Sequence, residues 1–162
     1  MPKLVSAPVV GSNESTSAKN GPELVGDVNE VDIHLGGKET KCLLDTGSCV
    51  SVVSESFYVN HLKTSELRPV GDIFNIECAD GQKLPYKGYI ESEIVINKGL
   101  PKAKPLPCLL LVTPDTEFSS RVPVILGTNI LKEFMNECHT NFGDQYCYVP
   151  AVVLAGRKCV CN

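Results

Sequence analysis

The chain has 162 residues, 43% hydrophobic and 21% charged, which suits one globular domain with its own core and no dependence on disulfides. A formal net charge of −4 and a pI near 5.4 argue against nucleic-acid or membrane-surface binding. No apolar run is long enough to span a bilayer and no charged-then-apolar leader follows Met1, so the expected address is the cytosol.

Residues 1–27 are rich in Ser, Asn, Gly and Pro without sustained periodicity, and read as a flexible lead-in or linker. Asn13-Glu14-Ser15 fits a glycosylation acceptor, a chance match without a secretory route. From 28 the pattern changes. Val31, Ile33 and Leu35 alternate with Asp32 and His34, predicting a half-buried strand that turns at Gly36-Gly37, with His34 at a surface or edge position. The return run from Thr40 to Leu44 leads into Asp45-Thr46-Gly47-Ser48, and Val50, Val52 and Val53 predict a further short strand. His61 then falls in a polar loop after Tyr58.

The stretch 73–96 predicts a longer hairpin. Phe74, Ile76 and Cys78 share one face, Ile90, Ile94 and Ile96 share another, and Ala79-Asp80-Gly81-Gln82 supplies the bend. Gly99, Pro101, Pro105 and Pro107 mark 97–107 as loop. Continuous apolar runs at Cys108–Val112 and Val122–Leu126 suit interior strands. After Gly127, Asn129 can cap a short helix in which Ile130 faces Phe134 and Leu131 faces Met135. Many short strands, long loops and one brief late helix define a mainly β domain over 28–136. The extension 137–162 carries Tyr146, Tyr148, Val149 and the apolar run 151–154, and can add a strand or pair with a partner chain. A faint internal echo links Leu43-Leu44-Asp45-Thr46-Gly47 with Val124-Ile125-Leu126-Gly127-Thr128, as in two units packed about an approximate two-fold axis.

The eight cysteines are scattered, and without a secretion signal free thiols are the better reading. Cys42, Cys78 and Cys108 lie in apolar strand-like runs, where a thiol acts as a small hydrophobe. Cys138, His139, Cys147, Cys159 and Cys161 offer ligand types for zinc, but no C-x2-C pair is present and no metal site is expected. No Ser–His pair sits in a nucleophile-elbow context, and no glycine loop suited to phosphate precedes a helix.

Asp45-Thr46-Gly47-Ser48 is the informative tetrapeptide. Average composition yields a D-T-G triplet in a chain this size by chance about 3% of the time, so its setting has to carry the weight. The apolar strand Cys42-Leu43-Leu44 delivers a carboxylate to a turn where Gly47 permits close backbone approach, and apolar residues resume at once. An acid at the end of a buried strand is expensive unless it has partners or a task.

The run LLDTGSCVSVVSESF resembles the active-site loop of retropepsins, the aspartic proteases of retroviruses and Ty3/gypsy-like retroelements. Ile125-Leu126-Gly127 ahead of a helix resembles that family's second motif, and Ala79-Asp80-Gly81 through Gly88 resembles its flap hairpin. The resemblance spans roughly 28–136 with order and spacing intact. It implies a closed retropepsin-like β-barrel with a flap hairpin and one short C-terminal helix, working as a homodimer on extended peptide or polyprotein substrates. It implies Asp45 as the catalytic residue, Thr46 tying the active-site loops across the axis, Gly47 allowing close approach, and Ser48 bonding the carboxylate from outside. Gly81 would tip the flap. No cofactor is implied, and the location widens to the interior of a virus-like particle. One departure is Thr128, where many members carry an arginine that braces the dimer. The rival reading is a catalytically silent retropepsin-like dimerisation or peptide-binding module.

Overall fold

The computed structural model describes residue 24 and residues 29–71, 75–96 and 104–142, without the side chains of 138, 139, 141 and 142. The expectations for 1–23, 25–28, 72–74, 97–103 and the cysteine-bearing tail, including Asn13, Phe74, Gly99, Pro101, Cys147, Cys159 and Cys161, lie outside the described residues.

The first alternating run forms β1 (Glu30–Leu35), which buries Ile33 and Leu35. Gly36 and Gly37 follow at φ +56 and +79, the left-handed pair that a tight two-residue hairpin turn requires. β2 (Lys38–Leu44) returns antiparallel, from Leu35 opposite Lys38 to Glu30 opposite Leu43. His34 is not at an edge. It is half-buried, and β1 pairs on both sides there, with Glu39 and with Val95.

β3 (Val52–Ser54) is followed by a helix that the sequence reading missed, α1 (Glu55–His61). Its start is fixed by Ser54, whose Oγ accepts from Phe57 N at 3.3 Å, with Glu55 favourable in the first turn. Only Phe57 is buried along its seven residues, so no apolar stripe announces it. His61 therefore closes a helix, its ring 4.8 Å from that of Phe57, rather than lying in a loop.

β4 (Gly88–Ile96) and β5 (Leu106–Thr113) pair antiparallel from Gly88 opposite Val112 to Ile94 opposite Leu106. Pro107 thus belongs to β5 and not to the preceding loop. It is tolerated because, among the described residues, β3 pairs β5 at Leu111, Val112 and Thr113 and no strand besides β4 pairs Pro107. β6 (Val124–Leu126) leads into α2 (Thr128–Phe142), which buries Ile130, Leu131 and Phe134 with Met135 packed alongside. α2 begins before Asn129, so Asn129 is not its cap, and it continues to Phe142, past the expected domain end at 136.

The strands close a barrel in the order β1-β2-β6-β3-β5-β4. The result is the mainly β closed barrel expected, with two helices rather than one among the described residues. β2 runs parallel to β6 and β3 parallel to β5, while β3–β6 and β1–β4 are antiparallel. Exchanging β1 with β4, β2 with β5 and β3 with β6 swaps β2–β6 with β3–β5 and β1–β2 with β4–β5 and returns β1–β4 and β3–β6 to themselves, so the strand order carries an internal two-fold. The echo segments are parallel neighbours, Leu43 beside Ile125 and Leu44 beside Leu126, rather than symmetry mates. Inside the barrel Ile33, Leu35, Leu62, Ile90, Ile94, Leu110 and Leu126 are fully buried, each contributing about 1.5–3 kcal/mol on removal from water.

Candidate active site

Asp45 follows the buried Leu44, and its backbone N–H donates to Leu126 O at 2.9 Å, continuing the β2–β6 ladder by one bond. The chain then turns. Gly47 N donates to Asp45 Oδ1 at 2.9 Å and Ser48 N to Asp45 O at 3.3 Å. A Cβ at position 47 would sit 3.2 Å from Asp45 Oδ1, so glycine lets the amide approach the carboxylate without crowding it. Asp45 as a residue is half-buried, and the bond from Gly47 to its carboxylate lies in an exposed position. Thr46 is also half-buried. Ser48 differs from expectation: its Oγ donates to Val50 O at 2.7 Å, bracing its own loop rather than the carboxylate.

The second motif lies directly beneath this loop. Leu126 is buried in β6 and Gly127 at its end is buried too, while Ile125 is half-buried. A Cβ on Gly127 would come within 2.7 Å of Ser48 O and closer still to Val50 O, so only glycine fits. Thr128 N donates to Ser48 O at 2.8 Å, which places this residue against the Asp45 loop. Sequence reasoning missed Ser51 here and gave Asn129 only the role of a helix cap. Ser51, 1% exposed, accepts from Gly127 N at 2.9 Å and donates to Asn129 Oδ1 at 2.7 Å. The available signal was a hydroxyl in the otherwise apolar run Val50-Ser51-Val52-Val53.

Ala79, Asp80 and Gly81 form the tip of an exposed hairpin. Gly81 takes φ +80 and donates to Cys78 O at 2.9 Å, Cys78 N donates to Gln82 O at 2.7 Å, and Leu84 N to Ile76 O at 2.8 Å. Asp80 Oδ1 accepts from Gln82 N at 3.0 Å, fixing the turn locally. This hairpin is shorter than expected, because β4 belongs to the barrel wall and not to the flap arm. Cys78 is accordingly exposed and not a core thiol. At the hairpin's foot Gly88 has φ +155, and a Cβ there would meet Arg68 O at 2.5 Å. That contact seats the segment before the hairpin on β4, where Arg68 and Tyr89 exchange two 2.9 Å backbone bonds. Between the hairpin's foot and the Asp45 loop opens a cavity of about 400 Å³, lined among others by Val50, Val70, Ile76, Tyr89, Leu109 and Leu111.

The two buried thiols are chemically quiet. Burial pushes Cys42 and Cys108 up to about 12, against the opposing effect of backbone hydrogen bonds at Leu126 and Ser92. Near the start of α1, Asp115 accepts from Ser56 Oγ and, at 3.0 Å, from Ser56 N; these bonds hold its carboxyl below the ordinary value. No helix among the described residues is long and apolar enough to cross a membrane.

No protein-family model matches the chain, and no curated protein matches it. Solved structures do. EIAV protease, complexed with the inhibitor HBY-793, superposes with a TM-score of 0.51 at 20% identity, over 70% of this chain and 94% of that one. The retroviral protease-like domain of Ddi1 from Leishmania major gives 0.49 at 15% identity, over 67% of this chain and 78% of that one. A retropepsin-like aspartic protease from Rickettsia conorii gives 0.39 at 16%, over 64% and 69%. The fold assignment rests on the first of these: the chain has a retropepsin-like fold. At such identities the likeness reaches no further than the fold, and the chemistry rests on this chain's own residues.

Proposed function

We propose that the chain is an aspartic endopeptidase whose active form is a homodimer, each copy supplying Asp45. The observation that carries this reading is the Asp45 carboxylate at the end of β2, held by the Gly47 amide at 2.9 Å in a loop braced by Ser48 and by the glycine of the second motif. Peptide hydrolysis by carboxylates needs one acid and one base on a shared water, and the chain has one D-T-G. A symmetric dimer brings two Asp45 side chains together across its axis. At roughly 3 Å two carboxylates cannot both ionise, so they hold one proton between them. The ionised one takes a proton from water as it attacks the scissile carbonyl carbon, and the protonated one donates to the carbonyl oxygen.

In this dimer Thr46 links the two loops across the axis, and the flap tipped by Ala79, Asp80 and Gly81 closes over the substrate and excludes water. The substrate is an extended peptide between subunits, held by backbone pairing with apolar side chains in pockets, and segments of a retroelement polyprotein fit that description. The test is incubation of the purified protein with a mixed peptide library, read by mass spectrometry, beside Asp45→Asn. Cleavage products that vanish in the variant support the reading. Equal cleavage by both proteins, or none by the wild type as a verified dimer, refutes it.

A further inference from the structure

We propose that Ser51 and Asn129 are positioning residues for the Asp45 carboxylate, clamping its loop onto the start of α2. Among the described residues only Ser51 and Ser54 are buried polar side chains, and Ser54 is occupied as the cap of α1. A buried hydroxyl without partners is costly, and that of Ser51 is used in both directions. It accepts from Gly127 N at 2.9 Å and donates to Asn129 Oδ1 at 2.7 Å, while Ser51 O takes Leu111 N at 2.9 Å. The Asn129 amide is oriented from its other end, where Nδ2 donates to Leu109 O at 3.4 Å. One hydroxyl therefore joins the Asp45 loop, the β6–α2 junction and, through Asn129, β5.

These bonds bracket the carboxylate. Asp45 N–Leu126 O fixes the loop where it leaves β2, Thr128 N–Ser48 O fixes its middle, and Ser51 fixes it where it enters β3. Backbone bonds alone leave the loop's exit unanchored against α2, and they leave the buried Gly127 N–H without a partner. The carboxylate, held directly among the described residues by Gly47 of the same loop, moves when the loop moves. A displacement of about 1 Å at a reacting group costs up to roughly a hundredfold in rate. For its kinetic consequence the proposal rests on the endopeptidase reading; for its geometry it does not.

The experiment compares Ser51→Ala, Asn129→Ala, Asn129→Asp and the double Ser51→Ala/Asn129→Ala, each verified as folded and dimeric. Asn129 is exposed, so its variants keep the core even if Ser51→Ala does not fold. Asn129→Asp keeps an acceptor for the Ser51 hydroxyl and gives up only the long, weak 3.4 Å bond to Leu109 O, whereas Asn129→Ala loses both. Loss of positioning lowers kcat by about tenfold to a hundredfold with KM within about twofold. This is expected for Ser51→Ala and Asn129→Ala, while Asn129→Asp stays near wild type and the double variant is no worse than Ser51→Ala. In parallel, NMR follows the Gly47 amide and the Asp45 carboxyl carbon through a pH titration. Both signals should shift in the two alanine variants and hold in Asn129→Asp. Wild-type kcat with unmoved signals in Asn129→Ala, or equal losses in Asn129→Ala and Asn129→Asp, overturns the proposal. Should the wild type cleave nothing, the endopeptidase reading falls, and the NMR signals decide the positioning role by themselves.

Discussion

Replacing Gly127 with alanine tests the packing of the loop independently of any activity. Gly127 is buried, and its conformation is one that any residue adopts, so the cost of the variant is steric. The new methyl would press on Ser48 O and Val50 O, both backbone atoms that yield only if the Asp45 loop lifts from β6. Overpacking of this kind costs about 1–3 kcal/mol. Lifting the loop also weakens Gly127 N–Ser51 Oγ and Thr128 N–Ser48 O, at about 0.5–1.5 kcal/mol each. Together these give about 2–6 kcal/mol, a large share of the roughly 5–15 kcal/mol typical of a domain. The control is Gly37→Ala, where a Cβ has open space and only φ +79 is strained, at about 1–2 kcal/mol. Equilibrium urea unfolding at one fixed protein concentration, since association adds a mass-action term, measures both. If Gly127→Ala costs less than Gly37→Ala, the tight seating of the loop on the second motif is wrong.

Four other outcomes follow from the same geometry. Asp45→Asn should lower peptidase activity by at least about 10²–10⁴-fold with unchanged unfolding midpoint and dimer mass, and retention of activity would remove Asp45 from the chemistry. Specific activity should rise with protein concentration and then level off, whereas a constant value far below any detectable dimer contradicts a shared site. In the native protein at pH 8, a maleimide should label the exposed Cys49 and Cys78 but reach the buried Cys42 and Cys108 only after denaturant is added, as read by peptide mass mapping. The Asp115 carboxyl lies below its ordinary 3.8 through Ser56, so its support of α1 is complete above that value and is lost as pH falls through the lowered one. Asp115→Asn should therefore flatten the acid limb of thermal stability, and an unchanged limb would dismiss the contact.

The barrel's long strands were legible because their signals are local. Val31, Ile33 and Leu35 alternate, Gly36-Gly37 turns, and each outcome is visible within a few residues. The apolar runs around Cys108–Val112 and Val122–Leu126 were likewise readable as interior strands. Failures occurred where a tertiary partner decides. α1 has one buried residue and is set by the Ser54 cap and by Asp115, 59 positions from Ser56. Pro107 in β5 is permitted by the absence of a second neighbour at that point, which composition does not encode. Asn129 has the chemistry of a cap but is used by Ser51, 78 positions away. In the site, the D-T-G and second-motif segments were identifiable as a pair, and the structure sets them side by side as Leu44 and Leu126. The Ser48 hydroxyl was misassigned because its acceptor, Val50 O, is a backbone atom that any residue would offer.

The internal two-fold bears on why the proposed chemistry calls for a second copy. Leu44 of β2 lies beside Leu126 of β6, and Thr113 of β5 beside Ser54 of β3, so Leu44 corresponds to Thr113 and Leu126 to Ser54. The counterpart of Asp45 is then Pro114, and the counterpart of Thr128 is Ser56. The correspondence extends to the contacts. Thr128 N donates into the loop after β2 at Ser48 O, and Ser56 N donates into the loop after β5 at Asp115 Oδ1. Asp115 is thus the acid nearest the equivalent place, one residue late, and its carboxylate is engaged by Ser56 N and Oγ at the start of α1. Where the fold repeats the position of Asp45 it supplies a proline, and the neighbouring acid works as a helix anchor. Among the described residues no free acid takes the equivalent place within the chain, so under the proposed reading the second carboxylate is the Asp45 of another copy.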